Sequence, residues 1–203
     1  MKLVYGVGIY DLKGDFRHIT HKVIDGKNIE CPFYKKWKDV LRRCYSERFI
    51  QKYPNYRGCS ICEEWKTFSN FMTWMKTQSW EGKDLDKDIL VPGNKVYSPG
   101  TCVFVSNSLN KLLLNSLAIR GKYQMGVTFN KEKNKFTAHI KKFGKKYHLG
   151  YFHTPEEAHE VYKKERSKYI LEVAENLTEN DTSDIERTRQ GLIRHVKEGH
   201  VFK

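Results

Sequence analysis

The strongest constraint on the fold lies between residues 125 and 157. Three stretches, 125–129, 135–140 and 146–152, alternate apolar and polar side chains and are separated by short polar turns. Period-two alternation sorts side chains onto the two faces of a strand. In the second stretch Phe136, Ala138 and Ile140 share one face, while Lys135, Thr137, His139 and Lys141 share the other. In the third, Tyr147, Leu149 and Tyr151 are expected inward, Lys146 and His148 outward. Thr154-Pro155-Glu156-Glu157 then opens a helix, because Thr accepts at the N-cap, Pro suits the first turn and Glu three residues on completes a capping box. Ala158, Val161, Tyr162, Tyr169 and Ile170 give that helix an apolar face. A three-stranded antiparallel sheet packed on one helix is predicted over residues 121–172.

Charge says what such a sheet would meet. The chain has 37 Lys and Arg against 24 Asp and Glu, a net of +13. Residues 121–170 alone carry 12 Lys and Arg against 5 Glu, a net of +7. A cationic sheet face with no covering element favours polyanions, through neutralised phosphates and released counterions. No apolar run approaches the roughly 20 residues of a membrane helix. The opening Met1-Lys2-Leu3-Val4-Tyr5-Gly6 is too short in apolar residues for a secretory signal, so a cytoplasmic protein is expected.

The rest of the chain divides by pattern. Residues 1–31 form an N-terminal extension with strand-like pieces at 3–10 and 18–24. From Pro32, residues Phe33, Trp37, Val40, Leu41 and Cys44 recur at helical spacing. A second amphipathic helix starts near Thr67, with Phe68, Phe71, Met72 and Met75 inward. Strand-like residues 85–90, a loop, strand 102–105 and a helix from Asn107 to about Leu117 make a strand-loop-strand-helix unit. After a polar break at 176–183, a charged helix over 184–198 ends a tail spanning 173–203. The predicted class is α+β: that unit with flanking helices over 32–117, followed by the sheet-and-helix domain.

Two resemblances sharpen this reading. Gly126-Val127, Ala138-x-Ile140, Leu149-Gly150-x-Phe152 and Thr154-x-Glu156-Glu157-Ala158-x-x-x-Tyr162 fall in the order and spacing of the ethylene-response-factor (Apetala-type) DNA-binding domain, which 125–165 resembles. The resemblance implies a sheet that reads double-stranded DNA, with Thr128, Asn130, Lys135, Thr137, His139, Lys141 and His148 as contact residues, and the alternation adds Lys146 to the same DNA-binding face. Family members carry arginines and tryptophans at several of these positions. Lysine is a poorer bidentate reader of guanine than arginine.

Trp37-x-x-x-Leu41-x-Arg43-Cys44-Tyr45, Cys62-x-Glu64-Trp65-x-x-Phe68, Leu85-Asp86-Lys87-Asp88, Gly93-Asn94 and Tyr97-Ser98-Pro99-x-x-Cys102 resemble a phage family of HNH-type homing endonuclease-like proteins. This resemblance implies a metal-dependent DNA endonuclease in the host cytoplasm. Asp86 and Asn110 would then ligate Mg2+ or Mn2+, and Asn94 would be the middle asparagine. Lys87 stands where the family has its histidine base, and no histidine occurs between His21 and His139. The alternative is a catalytically inactive DNA-binding regulator, or a blocker of host machinery, on the same fold. Cys59-x-x-Cys62 has the spacing of half a zinc site that Cys44 and Cys102 could complete, with buried free thiols as the competing reading.

Overall fold

The computed structural model describes residues 3–12, 20–113 and 122–202. It is an α+β structure in two compact units, one formed by Met1–Asn107 with Glu179–Asp184, the other by Ser108–Thr178 with Ile185–Lys203. No helix among the described residues is long and apolar enough to cross a membrane.

The first unit begins with residues that the sequence assigns to an extension. Ile9 donates to the Lys66 carbonyl and accepts from Phe68 N–H, at 2.8 and 2.9 Å. Only isolated bridges occur over 3–10. A hairpin follows, β1 (His21–Ile24) and β2 (Lys27–Glu30), turned by Asp25 and Gly26 at φ 50° and 71°. Helices α1 (Pro32–Tyr45), α2 (Glu47–Lys52), α3 (Glu63–Lys66) and α4 (Phe68–Lys76) surround an aromatic core. Trp37, Trp65, Phe68 and Phe71 are essentially fully buried, and burying each ring contributes about 2–3 kcal/mol. Trp37 Nε1 donates to the Trp65 carbonyl at 2.7 Å, so the largest side chain leaves no polar atom unmet. On α1, Tyr34 is buried and Phe33 only partly so, one residue round from the expected stripe.

Around this core β3 (Ser60–Ile61) pairs in parallel with β5 (Val96–Tyr97), and β4 (Asp84–Asp86) pairs antiparallel with β6 (Val103–Val105). Strand β4 is shorter than the expected 85–90. The cause is Asp86, whose Oδ1 accepts from the N–H groups of Asp88 and Ile89, both at 2.7 Å, folding the chain into a turn. The 179–184 segment returns to β6. Ser106 N–H reaches the Asp181 carbonyl at 2.7 Å, and Ser183 N–H reaches that of Phe104 at 2.8 Å.

The second unit takes up α5 (Asn107–Leu112) from Ser108 onward. The expected extension of that helix to Leu117, and the 117/121 boundary, lie outside the described residues. Strands β7 (Val127–Asn130), β8 (Lys135–Lys142) and β9 (Lys145–Phe152) form an antiparallel sheet in the order β7-β8-β9. Helix α6 (Pro155–Glu175) covers one face, seating Ala158 and Tyr162 on Val127, Ala138 and Ile140. The capping box is present: Thr154 Oγ1 accepts from Glu157 N–H at 3.2 Å, and Glu157 Oε2 accepts from Thr154 N–H at 3.3 Å. Gly126 is required by contact. A Cβ there would lie 2.1 Å from the Tyr162 ring, on a backbone with φ of 81°. Helix α7 (Ile185–Lys197) buries Thr188, Gly191, Leu192 and His195, and Arg189 Nε donates to the Ala174 carbonyl at 3.1 Å. Residues expected as a tail thus complete the helical layer of this unit.

Candidate nucleic-acid interface

Cross-strand register shows which side chains share the uncovered face. Thr128 pairs with Thr137 and Asn130 with Lys135, while His139 pairs with His148 and Lys141 with Lys146. All eight residues expected to contact DNA are therefore on one face. The register shifts between Ala138 and His139, which pair with Gly150 and His148 and leave Leu149 as the extra residue of a β-bulge. Gly150, at φ 139°, adopts a backbone that L side chains rarely take.

The bulge corrects one expectation. Beyond it Tyr151 pairs with Thr137 and lies on the uncovered face rather than inward. Its ring is 4.5 Å from that of His148, and Lys133 Nζ lies 4.1 Å from its centroid. A glycine inside a strand pattern is the sequence signal that could have revealed both the bulge and Tyr151.

Thr137 is on the right face but only 3% exposed, between taller neighbours. Its hydroxyl meets Thr128 Oγ1 at 2.8 Å and His139 Nε2 at 3.1 Å, so it orients the two side chains that stand clear of it. The His139 and His148 rings are 5.3 Å apart. Burial, then the Lys146 and His148 charges, hold the His139 imidazole below its ordinary pKa, favouring the neutral ring. Asn130 Oδ1 accepts from Lys133 N–H at 2.9 Å and closes the β7-β8 turn.

Charge pairing separates this face from the helix behind it. Strands β7, β8 and β9 contain no acidic residue. Among the described residues Lys135, Lys141 and Lys146 have no ion-pair partner. Lys142, which points to the helix side, meets Glu165 at 3.0 Å, and Lys168 meets Glu165 at 2.8 Å. Lys163 pairs with Glu160. Lys142, Lys163 and Lys168 thus have carboxylate partners, whereas Lys135, Lys141 and Lys146 on the bare face have none among the described residues.

The candidate catalytic residues have a different environment. Asp86 Oδ1 is occupied by two backbone N–H groups, and burial pushes this carboxyl upward in pKa, with Asp88 adding to the effect. Lys87 is 5% exposed, its Nζ held by Asp88 at 2.6 Å and by the Asn94 carbonyl at 2.7 Å. Asn94 Nδ2 donates to the carbonyls of Lys87 and Val96 at 3.0 and 2.7 Å, and its Oδ1 accepts from Val96 N–H at 3.1 Å. Asn110 belongs to the other compact unit. Asp86 Oδ1 and the side chains of Asn94 and Lys87 are thus already committed within the loop, which leaves a hydrolytic divalent cation few free donors there.

Cys44, Cys59 and Cys102 are buried free thiols, and Cys31 and Cys62 are partly buried. Burial pushes Cys44 and Cys102 up to about 12, so in the metal-free fold these thiols stay protonated. Among the described residues no three His, Cys, Asp or Glu side chains converge as a metal-binding group.

Comparison with protein-family models, with curated proteins and with solved structures finds no match to this chain.

Proposed function

We propose that this chain binds double-stranded DNA through the uncovered face of β7-β8-β9, and that the strand-loop-strand-helix segment serves as architecture rather than as a nuclease. The observation that carries the reading is the set of three lysines without ion-pair partners among the described residues, Lys135, Lys141 and Lys146, on strands that contain no acid. Unpaired ammonium groups in register on a twisted sheet suit the phosphates flanking a groove. His139, His148, Thr128, Asn130 and Tyr151 stand among them with hydrogen-bonding and apolar surface for base edges. The likeness to the ethylene-response-factor domain points the same way. Because lysine holds phosphate as a point charge, the preference among sequences should be modest.

The non-catalytic reading of the loop rests on Lys87 and Asn94, whose polar atoms hold the loop itself. Fluorescence anisotropy of the full-length chain on a labelled duplex tests the interface. Lys135→Glu with Lys141→Glu should weaken binding about 30-fold or more, against at most about threefold for Lys163→Glu with Lys164→Glu on α6. Equal losses from the two pairs would remove the sheet from the account.

A further inference from the structure

The first unit holds a second concentration of cationic and aromatic groups that the sheet does not explain. The last turn of α1, helix α2 and the turn at Pro54–Tyr56 line an open pocket of about 530 Å³. Its cations are Arg42, Arg43, Arg48 and Lys52, and its rings are Phe49, Tyr53 and Tyr56. Local sequence builds it. Ser46 caps α2 by accepting from Phe49 N–H at 3.4 Å, and Tyr53 ends the helix with its N–H on the Phe49 carbonyl at 2.9 Å. That short helix therefore delivers Phe49, Lys52 and Tyr53 to one wall.

The rings touch, Phe49 lying 4.7 Å from Tyr53 and 5.4 Å from Tyr56. The Arg42 guanidinium lies 4.8 Å over Phe49 and Lys52 Nζ 5.4 Å over Tyr53. Only Arg42 has a carboxylate partner, Asp39 at 2.8 Å, while Arg48 and Lys52 have no ion-pair partner among the described residues. Arg42 Nε is a buried donor with no acceptor among the described residues. Arg48 and Lys52 are exposed, so positive charge with no ion-pair partner among the described residues lines this pocket and favours an anion.

An inorganic anion would satisfy Arg48 and Lys52 but make no use of the Tyr53 ring, which is 43% exposed. A phosphate joined to a flat aromatic base satisfies both. Bases in a duplex already stack on each other, so the fitting occupant is an unpaired nucleotide. We infer that this pocket holds one nucleotide of a single-stranded nucleic acid, its phosphate met by Arg42, Arg48 and Lys52 and its base stacked against Tyr53. This site is independent of the duplex-binding reading of the sheet and does not rest on it.

The test uses the full-length chain and a labelled thymidylate oligomer of about ten nucleotides, compared with a fully paired duplex. The wild-type chain should bind the oligomer. Arg48→Glu with Lys52→Glu should weaken that binding by about tenfold or more and change duplex affinity by no more than about twofold. Tyr53→Ala should weaken the oligomer several-fold and Tyr53→Phe should not, since stacking needs the ring and not the hydroxyl. This pair keeps the test intact if the charge reversals disturb folding, which circular dichroism reports. Lys135→Glu with Lys141→Glu should do the reverse, losing duplex and keeping oligomer, so each reading can fail alone. The inference is overturned if the wild-type chain ignores the oligomer, if the double charge reversal binds it unchanged, or if thymidine monophosphate binds as tightly as the oligomer.

Discussion

The outer face of β7-β8-β9 and the loop after β4 use similar side chains, lysine and asparagine among them, to opposite ends. On the sheet, Lys135, Lys141 and Lys146 have no ion-pair partner among the described residues. In the loop, Lys87 and Asn94 spend their polar atoms on Asp88 and on backbone carbonyls. A cation in the first setting keeps its hydration until a phosphate replaces it. A cation in the second is already desolvated and matched, and removing its partners exposes an unmet buried charge. Residue type alone does not make a site. What distinguishes the two regions is whether the polar atoms are spent within the fold.

The largest effect that would break this contrast concerns Asn94. Asn94→Ala removes two donors and one acceptor from the loop and should cost about 2 kcal/mol of stability in urea unfolding. DNA affinity of the folded protein should stay unchanged. A stable Asn94→Ala variant with lost DNA affinity would reverse the two roles.

Asp86 gives a smaller and more discriminating effect. Asp86→Ala deletes the acceptor for two backbone N–H groups and should cost about 1–2 kcal/mol, whereas Asp86→Asn keeps an acceptor oxygen and should recover most of that. If the wild-type chain cuts supercoiled plasmid with Mg2+ or Mn2+, and Asp86→Asn stops it while remaining fully stable, the loop is catalytic and the architectural reading fails.

How far these roles were legible in sequence depends on the range of the interactions behind them. The alternation of Phe136, Ala138 and Ile140 and the Thr154–Glu157 capping box are local, and both occur in the structure as read. The face taken by Tyr151 depends on the bulge at Leu149, a single extra residue that inverts every side chain after it. Thr137 looked like its neighbours in pattern, yet its short side chain leaves it buried between taller ones. The short β4, the return of 179–184 to β6 and the meeting of Arg42 with Phe49 depend on tertiary geometry, which no period in the chain encodes.

The smallest expected effect is a pH dependence on the sheet. The His139 imidazole has a pKa lowered from 6.5 by burial, by Lys146 and by His148, so the folded chain binds its proton less readily than the unfolded chain. Its contribution to stability is therefore fully present above pH 6.5 and is lost as pH falls through the lower folded value. Duplex affinity should change in the opposite sense over that interval, because a protonated ring adds charge opposite phosphate. His139→Gln should flatten both profiles, as read by thermal unfolding and by anisotropy between pH about 5 and about 7.5.

The central claim is that Lys135, Lys141 and Lys146 meet DNA phosphates, and the salt dependence of binding tests it most directly. Each neutralised phosphate contributes about 0.9 to the slope of log affinity against log salt, so replacing all three lysines by alanine should reduce its magnitude by about 2.7. The same measurement on a variant with Lys163, Lys164 and Lys168 replaced by alanine should leave the slope within about 1 of the wild type. An unchanged slope in the sheet variant, or an equal fall in the helix variant, would contradict the account.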